Sequence, residues 1–294
     1  MQVIDLRFLG RDDTVAAFLI ETPEGLVLIE SGPYSTFGSL EAALRALGHS
    51  VSDVRHVLLT HIHFDHAGAA WALAEAGATV HVHPFGAPHL AAPEKLYRSA
   101  KRIYGDEMET LWGEMRPIAP ERLRAVGHGE SLSFGGHIFT ALHTPGHAVH
   151  HIAWQWGDEV FCGDVAGVRI GSGPVTPPCP PPDIHLPDWK RSLSTIRGLR
   201  PKALWLTHFG RVEDVEDHLD RLENALDDWA EWIRPHWAAG EEQSEVVPRF
   251  AERVHDGLRR AGLTPRDIAR YEGANPAFMS VAGLYRYWQQ TKEL

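Results

Sequence analysis

Apolar positions along this chain fall into two regimes. Through the first two hundred residues they come mostly as short runs or alternations. Later they recur at spacings of three and four. Residues 3–8, 14–21 and 26–30 are apolar runs parted by Gly and Pro, which predicts a β-meander closed by Ser31-Gly32-Pro33. Leu40, Ala43, Leu44 and Leu47 have helical spacing, and Gly48 ends that segment. A strand over 54–59 leads into a histidine-rich turn, then a helix to about Ala76 stopped by Gly77. A short strand follows over 79–83, closed by Pro84. Residues 88–118 change character: Leu96, Ala100, Ile103 and Tyr104, then Met108, Leu111, Trp112 and Met115, predict two helices broken near Gly105. This insertion between sheet elements is the natural place for a lid or a pocket wall.

Strands resume over 123–126, 131–134, 138–142, 152–156 and 160–162, with Gly127-His128-Gly129, Gly135-Gly136 and Gly157-Asp158 as turns. Seven prolines between 171 and 187 exclude a regular element there and predict a semi-rigid loop. Asp188 is the expected cap of a helix carrying Leu193, Ile196 and Leu199, and 203–206 is a strand. From Val212 the pattern is helical: Val215, Leu219, Leu222, Leu226, Trp229 and Ile233 share a face. Further helices are expected over 241–262 and 264–291, the second opened by Thr264-Pro265. Strands and helices alternating in two sets predict an α/β chain of sheets packed together with helices outside. The division expected is a domain over 1–211 and a helical extension over 212–294.

Composition narrows the function. At 294 residues and 44% apolar, the chain can bury a sizeable core. It has no apolar run long enough to span a membrane, and its first residues lack a secretory pattern, so the expected compartment is the cytoplasm. Two cysteines, Cys162 and Cys179, make no disulfide framework. A formal charge of −11 argues against nucleic acid as partner and leaves a small molecule as the expected substrate. Oligomeric state is not encoded in any of these features. Nineteen histidines are the unusual feature.

The densest group is His61, His63, Asp65 and His66, on the turn after a buried strand. Residues two apart on an extended stretch point the same way, so His61 and His63 can share one ion. Asp65 and His66 come where the chain turns and can face another. Three further donors follow apolar runs: His147 in Thr144-Pro145-Gly146-His147, Asp164 in Cys162-Gly163-Asp164, and His208 after strand 203–206. Taken singly, each has a plainer reading as a turn former or a cap. The conjunction points to divalent metal, since imidazole and carboxylate in this number suit zinc, manganese or iron.

In this order, His-x-His-x-Asp-His, then a lone His, an Asp and a final His, the chain resembles the metallo-β-lactamase-fold hydrolases over roughly residues 1–211. The resemblance implies a four-layer αββα sandwich. It implies one metal on His61, His63 and His147, a second on Asp65, His66 and His208, and Asp164 bridging them. Where that family usually has Asp-Thr-Gly after an early strand, this chain has Glu30-Ser31-Gly32, with Glu30 expected to support the ligands rather than bind metal. Two ions would be expected to generate a hydroxide at neutral pH, with Asp65 orienting it or carrying its proton. The function expected is a binuclear hydrolase of a small ester, thioester or lactone, similar to the glyoxalase II-like branch. Alternatives are a phosphodiesterase of the same fold, a mononuclear iron dioxygenase acting on persulfides, and a non-catalytic metal-binding module.

Other features have plain readings beside functional ones. His81 and His83 could form a third metal pair, or be one neighbour of the site and one exposed residue. His143, His150 and His151 could support the ligands or be ordinary polar surface. Lys95, Arg98, Lys101 and Arg102 read as a solvated helix face or as an anion clamp. The tryptophans at 229, 232, 237 and 288 read as core, and Cys162 as a small buried neighbour of Asp164. Pocket walls are expected from 88–118, the proline loop and the helical extension.

Overall fold

The computed structural model describes residues 1–292. Strands β1 (Gln2–Asp5), β2 (Ala16–Thr22), β3 (Gly25–Ile29), β4 (Val54–Leu58), β5 (Thr79–Val82) and β6 (Leu123–Ala125) form one sheet in that order. Strands β7 (Ser131–Phe134), β8 (His137–His143), β9 (Ile152–Trp156), β10 (Glu159–Phe161), β11 (Ala203–Leu206) and β12 (Gly210–Val212) form the second. Each sheet mixes antiparallel hairpins with parallel pairs: β3, β4, β5 and β6 run parallel in the first, β10 and β11 in the second.

The helices are α1 (Phe37–Ala46), α2 (Phe64–Ala67), α3 (Ala70–Glu75), α4 (Ala87–Ala91), α5 (Glu94–Tyr104), α6 (Met108–Trp112), α7 (Leu186–Gly198), α8 (Val215–Ala238), α9 (Gln243–Arg260), α10 (Pro265–Ala274) and α11 (Ala277–Lys292). Strand β2 shows why the layers form. Ala16, Phe18 and Ile20 point into a core shared with Phe139, Trp154 and Phe161 of the opposite sheet. Ala17 and Leu19, pointing the other way, pack under Leu40, Leu44 and Trp71 on the outer helices. A strand buried on both faces must be apolar at every position, which is why it reads as a continuous run. On the far side, Trp189 of α7, Leu222 of α8, Phe250 of α9 and Leu284 of α11 share one core with Leu142, Val160 and Leu204 of the second sheet, and Phe250 packs on Trp229 of α8. The result is the four-layer αββα sandwich that the family resemblance implies and the element order agrees with, with added C-terminal helices.

Several local expectations need correction. The first run is a strand only to Asp5. The Asp5 carboxylate accepts from the backbone N–H groups of Arg7 and Asp13, drawing them away from a ladder, and Arg7 and Leu9 take left-handed backbone angles. The insertion holds three helices rather than two, because Pro93 forces Ala92 out of the helical region. The same rule splits 264–291: Asn275, before Pro276, sits at φ −146°, ψ 75°, and ends α10. The α7 cap is His185 rather than Asp188, since Pro187 occupies the first turn. Asp188 instead accepts from His185 Nδ1 at 2.6 Å.

The proline loop is held by the C-terminal helices. Asn275 Nδ2 donates to the Pro177 carbonyl at 3.1 Å, and the Cys179 N–H donates to Ser280 Oγ at 3.4 Å. Gly283 lets α11 lie directly on the loop, for a Cβ there would be 2.0 Å from the Cys179 carbonyl oxygen. Among the described residues, no helix is long and apolar enough to cross a membrane.

Candidate metal centre

Residues following five strands meet at one rim of the sandwich. Glu30 follows β3, the Thr60–His66 turn follows β4, His147 follows β8, Asp164 follows β10, and His208 follows β11. Strand ends held by parallel and antiparallel ladders on both sheets give these side chains fixed origins. Two glycines make room. Gly146, at φ 135°, lets the chain pass Trp189, whose backbone a Cβ would meet at 2.3 Å. Gly163, at φ 48°, does the same beside Thr60.

His61, His63 and His147 form one donor group, Asp65, His66 and His208 another, and His61, His66 and Asp164 a third between them. In the first, His61 Nε2 and His147 Nε2 lie 2.9 and 3.0 Å from the same atom, His63 Nδ1. One ring nitrogen cannot satisfy both by sharing a single proton, whereas a cation at the centre satisfies all three. In the second, His66 Nε2 and His208 Nε2 each lie 3.3 Å from Asp164 Oδ1, and His208 Nε2 is 3.4 Å from Asp65 Oδ2. His66 Nε2, His208 Nε2 and Asp164 Oδ1 are buried and have no hydrogen-bond partner among the described residues. Buried polar atoms left unpaired are costly, and three converging on one point fit a cation held among them. Asp164 Oδ2 faces the other way, 3.4 Å from His147 Nε2. Its two oxygens thus address the two groups separately.

The far nitrogens of these rings are fixed by the fold. His147 Nδ1 donates to the Pro178 carbonyl at 2.8 Å, and His208 Nδ1 to the Thr14 carbonyl at 2.7 Å. His61 Nδ1 is 3.0 Å from Thr60 Oγ1. His66 Nδ1 meets Glu30 Oε1 at 2.9 Å. Such contacts set the tautomer, leaving Nε2 a lone pair for metal. Glu30 is fully buried at φ 65° and also accepts from Thr60 Oγ1, from the Thr60 backbone N–H and from Thr207 Oγ1 at 3.1 Å. Its extra methylene relative to aspartate is taken up by this reach, and it binds four groups at once. Thr60 and Thr207 are site residues that the sequence pattern does not single out; adjacency to His61 and His208 is their only signal.

The electrostatics differ between the groups. Burial, followed by the neighbouring imidazoles, lowers His61 well below the usual histidine range, and burial lowers His63 to about 3. Burial pushes the other way on Asp65, but His66 and His208 outweigh it and hold the carboxyl at about 2. Burial would lower His66, yet Asp164, Asp65 and Glu30 raise it well above its ordinary value. The first group therefore offers neutral imidazoles. In the second, the carboxylates create a negative field that favours positive charge, which a proton on the imidazoles or a divalent ion in its place can supply.

The remaining histidines sort differently from expectation. His81 and His83 are both buried, so neither is an exposed residue, and neither joins the donor groups. His81 Nε2 pairs with His56 Nδ1 at 3.2 Å, and His83 packs on His143 with ring centroids 4.0 Å apart. His151 stacks on His61 at 5.1 Å and holds Thr144 Oγ1 at 2.8 Å, while His150 lies edge-on to His63 at 5.7 Å. Of the four basic residues on α5, only Lys95 lines the cavity above the site. Cys162 and Cys179 are buried free thiols, and burial raises both.

A cavity of about 710 Å³ opens over His63, Asp65 and Asp164. Its walls come from α5 and α6, the proline loop, and the α10–α11 junction. Tyr104 bridges the first and last of these: its hydroxyl is 3.7 Å from Met279 Sδ, and its ring is 6.2 Å from Phe278.

Comparison with known proteins fits this geometry. The metallo-β-lactamase superfamily profile matches residues 10–208. The metallo-β-lactamase fold-containing protein ST1585 of Sulfurisphaera tokodaii is 30% identical over 173 residues, which are 57% of this chain and 66% of that one. The crystal structure of ST1585 superposes with a TM-score of 0.63 over 74% of this chain and 84% of the other. A metallo-β-lactamase family protein of Thermus thermophilus, TTHA1429, shares the fold over 95% of this chain and 89% of its own, at TM-score 0.65 and 22% identity. Hydroxyacylglutathione hydrolase of Xylella fastidiosa is 30% identical over 119 residues, 40% of this chain, which spans about a third (34%) of that enzyme's length. On the strength of the profile match and the sandwich, the chain belongs to the metallo-β-lactamase superfamily.

Proposed function

We propose that this chain is a binuclear metal-dependent hydrolase of a small ester, thioester or lactone. In this reading His61, His63 and His147 hold one divalent ion, Asp65, His66 and His208 hold the other, and Asp164 joins them. The observation that carries it is Asp164, whose Oδ1 faces His66 and His208 while Oδ2 faces His147. A carboxylate so placed between two donor groups suits a shared ligand. Residues 212–294 are read as an extension that completes the substrate cavity.

When bound, two such ions lower the pKa of water from ~15.7 toward ~7 and polarise the scissile oxygen. The residues supply the rest. Asp65 is partly exposed to the cavity, and its carboxylate, 3.4 Å from His208 Nε2, is placed to orient the attacking water and to accept its proton. Glu30 and the Pro178 and Thr14 carbonyls lock the rings, so little reorganisation is needed on reaction. The apolar cavity excludes water around the acyl centre and favours a carbonyl ester over a phosphodiester, whose charge would want cationic walls.

Metal analysis and a substrate panel test this. Two zinc, manganese or iron ions per chain are expected, falling to one or fewer in Asp164→Ala, with loss of thioester or lactone hydrolysis by at least about 100-fold. A single iron with oxygen consumption on a persulfide would replace this reading by the dioxygenase. No stoichiometric metal, and hydrolysis unaffected by the substitution, would end it.

A further inference from the structure

The cavity above the metal centre differs in chemistry from its floor. Phe64, Leu96, Ala100, Tyr104, Trp112 and Met279 form its body. Its mouth carries Leu9, Phe85, Ile103, Val149 and Phe278. These are five of the nine large apolar residues that the described chain leaves exposed, with Phe85 at 65% and Val149 at 47%. Scattered apolar residues on a surface need no explanation, but their gathering around one opening does. The charged groups of the lining do not form a cationic cradle: Arg11 and Lys95 are matched by Glu107, Asp183 and Glu272. A peptide thiol such as glutathione, with its carboxylates and amides, would find few partners on these walls. A hydrocarbon would bury against the apolar side chains that make up most of the lining.

We infer that this cavity is an acyl pocket and that the substrate is an ester or thioester whose acyl limb is a medium-length or long hydrocarbon chain. This rests on the hydrolase reading above for the reaction, but not for the binding. In the reaction, water adds across the acyl C–S or C–O bond. Its oxygen joins the carbonyl carbon, the bond to sulfur or oxygen breaks, one of its protons passes to the leaving thiolate or alkoxide, and the other is released to solvent. The products are a fatty carboxylate and a thiol or alcohol. The hydrocarbon lies between α5–α6 and the α10–α11 junction, so its length is read by two segments far apart in sequence.

Two measurements on the metal-loaded full chain test this. The first is kcat/KM on acetyl, butanoyl, octanoyl and dodecanoyl thioesters of N-acetylcysteamine, with S-lactoylglutathione alongside. A rise of about threefold to fourfold per buried methylene is expected up to octanoyl. The second is fluorescence titration with dansylated undecanoic acid, which reads the pocket whether or not the protein hydrolyses anything. Phe278→Asp and Ile103→Asp alter exposed mouth residues, so folding is expected to survive, as thermal melts will check. Each should lower the octanoyl-to-acetyl ratio and weaken probe binding by about tenfold. Probe binding that these variants weaken, without hydrolysis of any thioester or of the matching esters and lactones, would keep the pocket and remove the hydrolase reading. Hydrolysis with a flat chain-length profile and no probe binding, or a preference for S-lactoylglutathione over octanoyl thioester, would overturn the acyl pocket and leave the hydrolase reading in place. Probe binding unchanged in both variants would also overturn it.

Discussion

The floor and the walls of one cavity are built on opposite principles. The floor is polar, buried except where His63 and Asp65 meet the cavity, and over-determined: His61, His66, His147 and His208 each have one ring nitrogen tied to the fold and the other aimed inward. The walls are apolar and partly exposed, and few of their side chains are held by a hydrogen bond; Tyr104, facing Met279 sulfur, is one. A floor of this kind suits chemistry, where a misplacement of about 1 Å is costly. Walls of this kind suit a ligand recognised by burial, where area matters more than position. The comparison predicts that substitutions in the floor act steeply and all at once, and that substitutions in the walls act gradually and on chain length alone.

The hardest test of the floor is Gly146→Ala. The new methyl would meet the Trp189 backbone at 2.3–2.4 Å, at a φ of 135° that alanine resists. A loss of about 2–5 kcal/mol is expected in urea unfolding, with His147 displaced and one metal lost per chain. A stable variant with full metal content would show that the floor is more yielding than its hydrogen bonds imply.

Glu30→Ala is expected to come next. It strips acceptors from Thr60, Thr207 and His66 Nδ1 in a dry site. Unpaired buried donors should cost about 3 kcal/mol, and metal affinity should fall about 10- to 100-fold by competition with a chelator. Octanoyl-to-acetyl selectivity should be untouched in whatever activity remains. A change in selectivity with normal metal affinity would blur the division between floor and walls.

The same division explains what can be read in the sequence. His61, His63, Asp65 and His66 sit within six residues, and His147, Asp164 and His208 each follow an apolar run, so local pattern locates the donors. The strand runs are legible because burial on both faces makes β2 continuously apolar. The walls are legible only as segments. That Phe278 and Tyr104 meet across an opening is a tertiary fact, since they stand 174 positions apart with no motif at either. The helix breaks at Ala92-Pro93 and Asn275-Pro276 share one cause: apolar periodicity runs through an X-Pro step that the backbone does not follow. In the sequence Glu30 reads as a departure from the usual Asp, and its reach to four partners emerges only once three strands are brought together.

Acid should act through the floor's supports. His218 on α8 is buried, and its Nε2 donates to the Ala166 carbonyl at 2.8 Å, bracing the turn that carries Asp164. Burial lowers its pKa to about 4, against the usual 6.5. Between these values the unfolded chain binds a proton that the folded chain refuses. The stability this residue contributes is therefore complete above pH ~6.5 and is lost as pH falls toward 4, by up to about 3 kcal/mol. Urea midpoints measured from pH 7 to 4 should fall less steeply in His218→Gln than in the parent. Equal slopes would remove His218 as a source of acid sensitivity.

The smallest expected effect belongs to the walls. Thr264 caps α10: its hydroxyl accepts from the Asp267 N–H, and Asp267 returns a bond to the Thr264 N–H. That helix carries Glu272, Gly273 and Ala274 to the cavity, with Asn275 just beyond. Thr264→Ala should cost about 1 kcal/mol in unfolding, the ordinary worth of a cap. Because α10 is anchored at its other end by Asn275 on the proline loop, fraying at Thr264 should reach the cavity only weakly. The expected readout is a KM for octanoyl thioester raised by no more than about twofold, with metal content and acetyl turnover at the parent level. Loss of metal in this variant would mean that the helical extension holds the floor as firmly as it shapes the walls, and the contrast between them would then be one of composition alone.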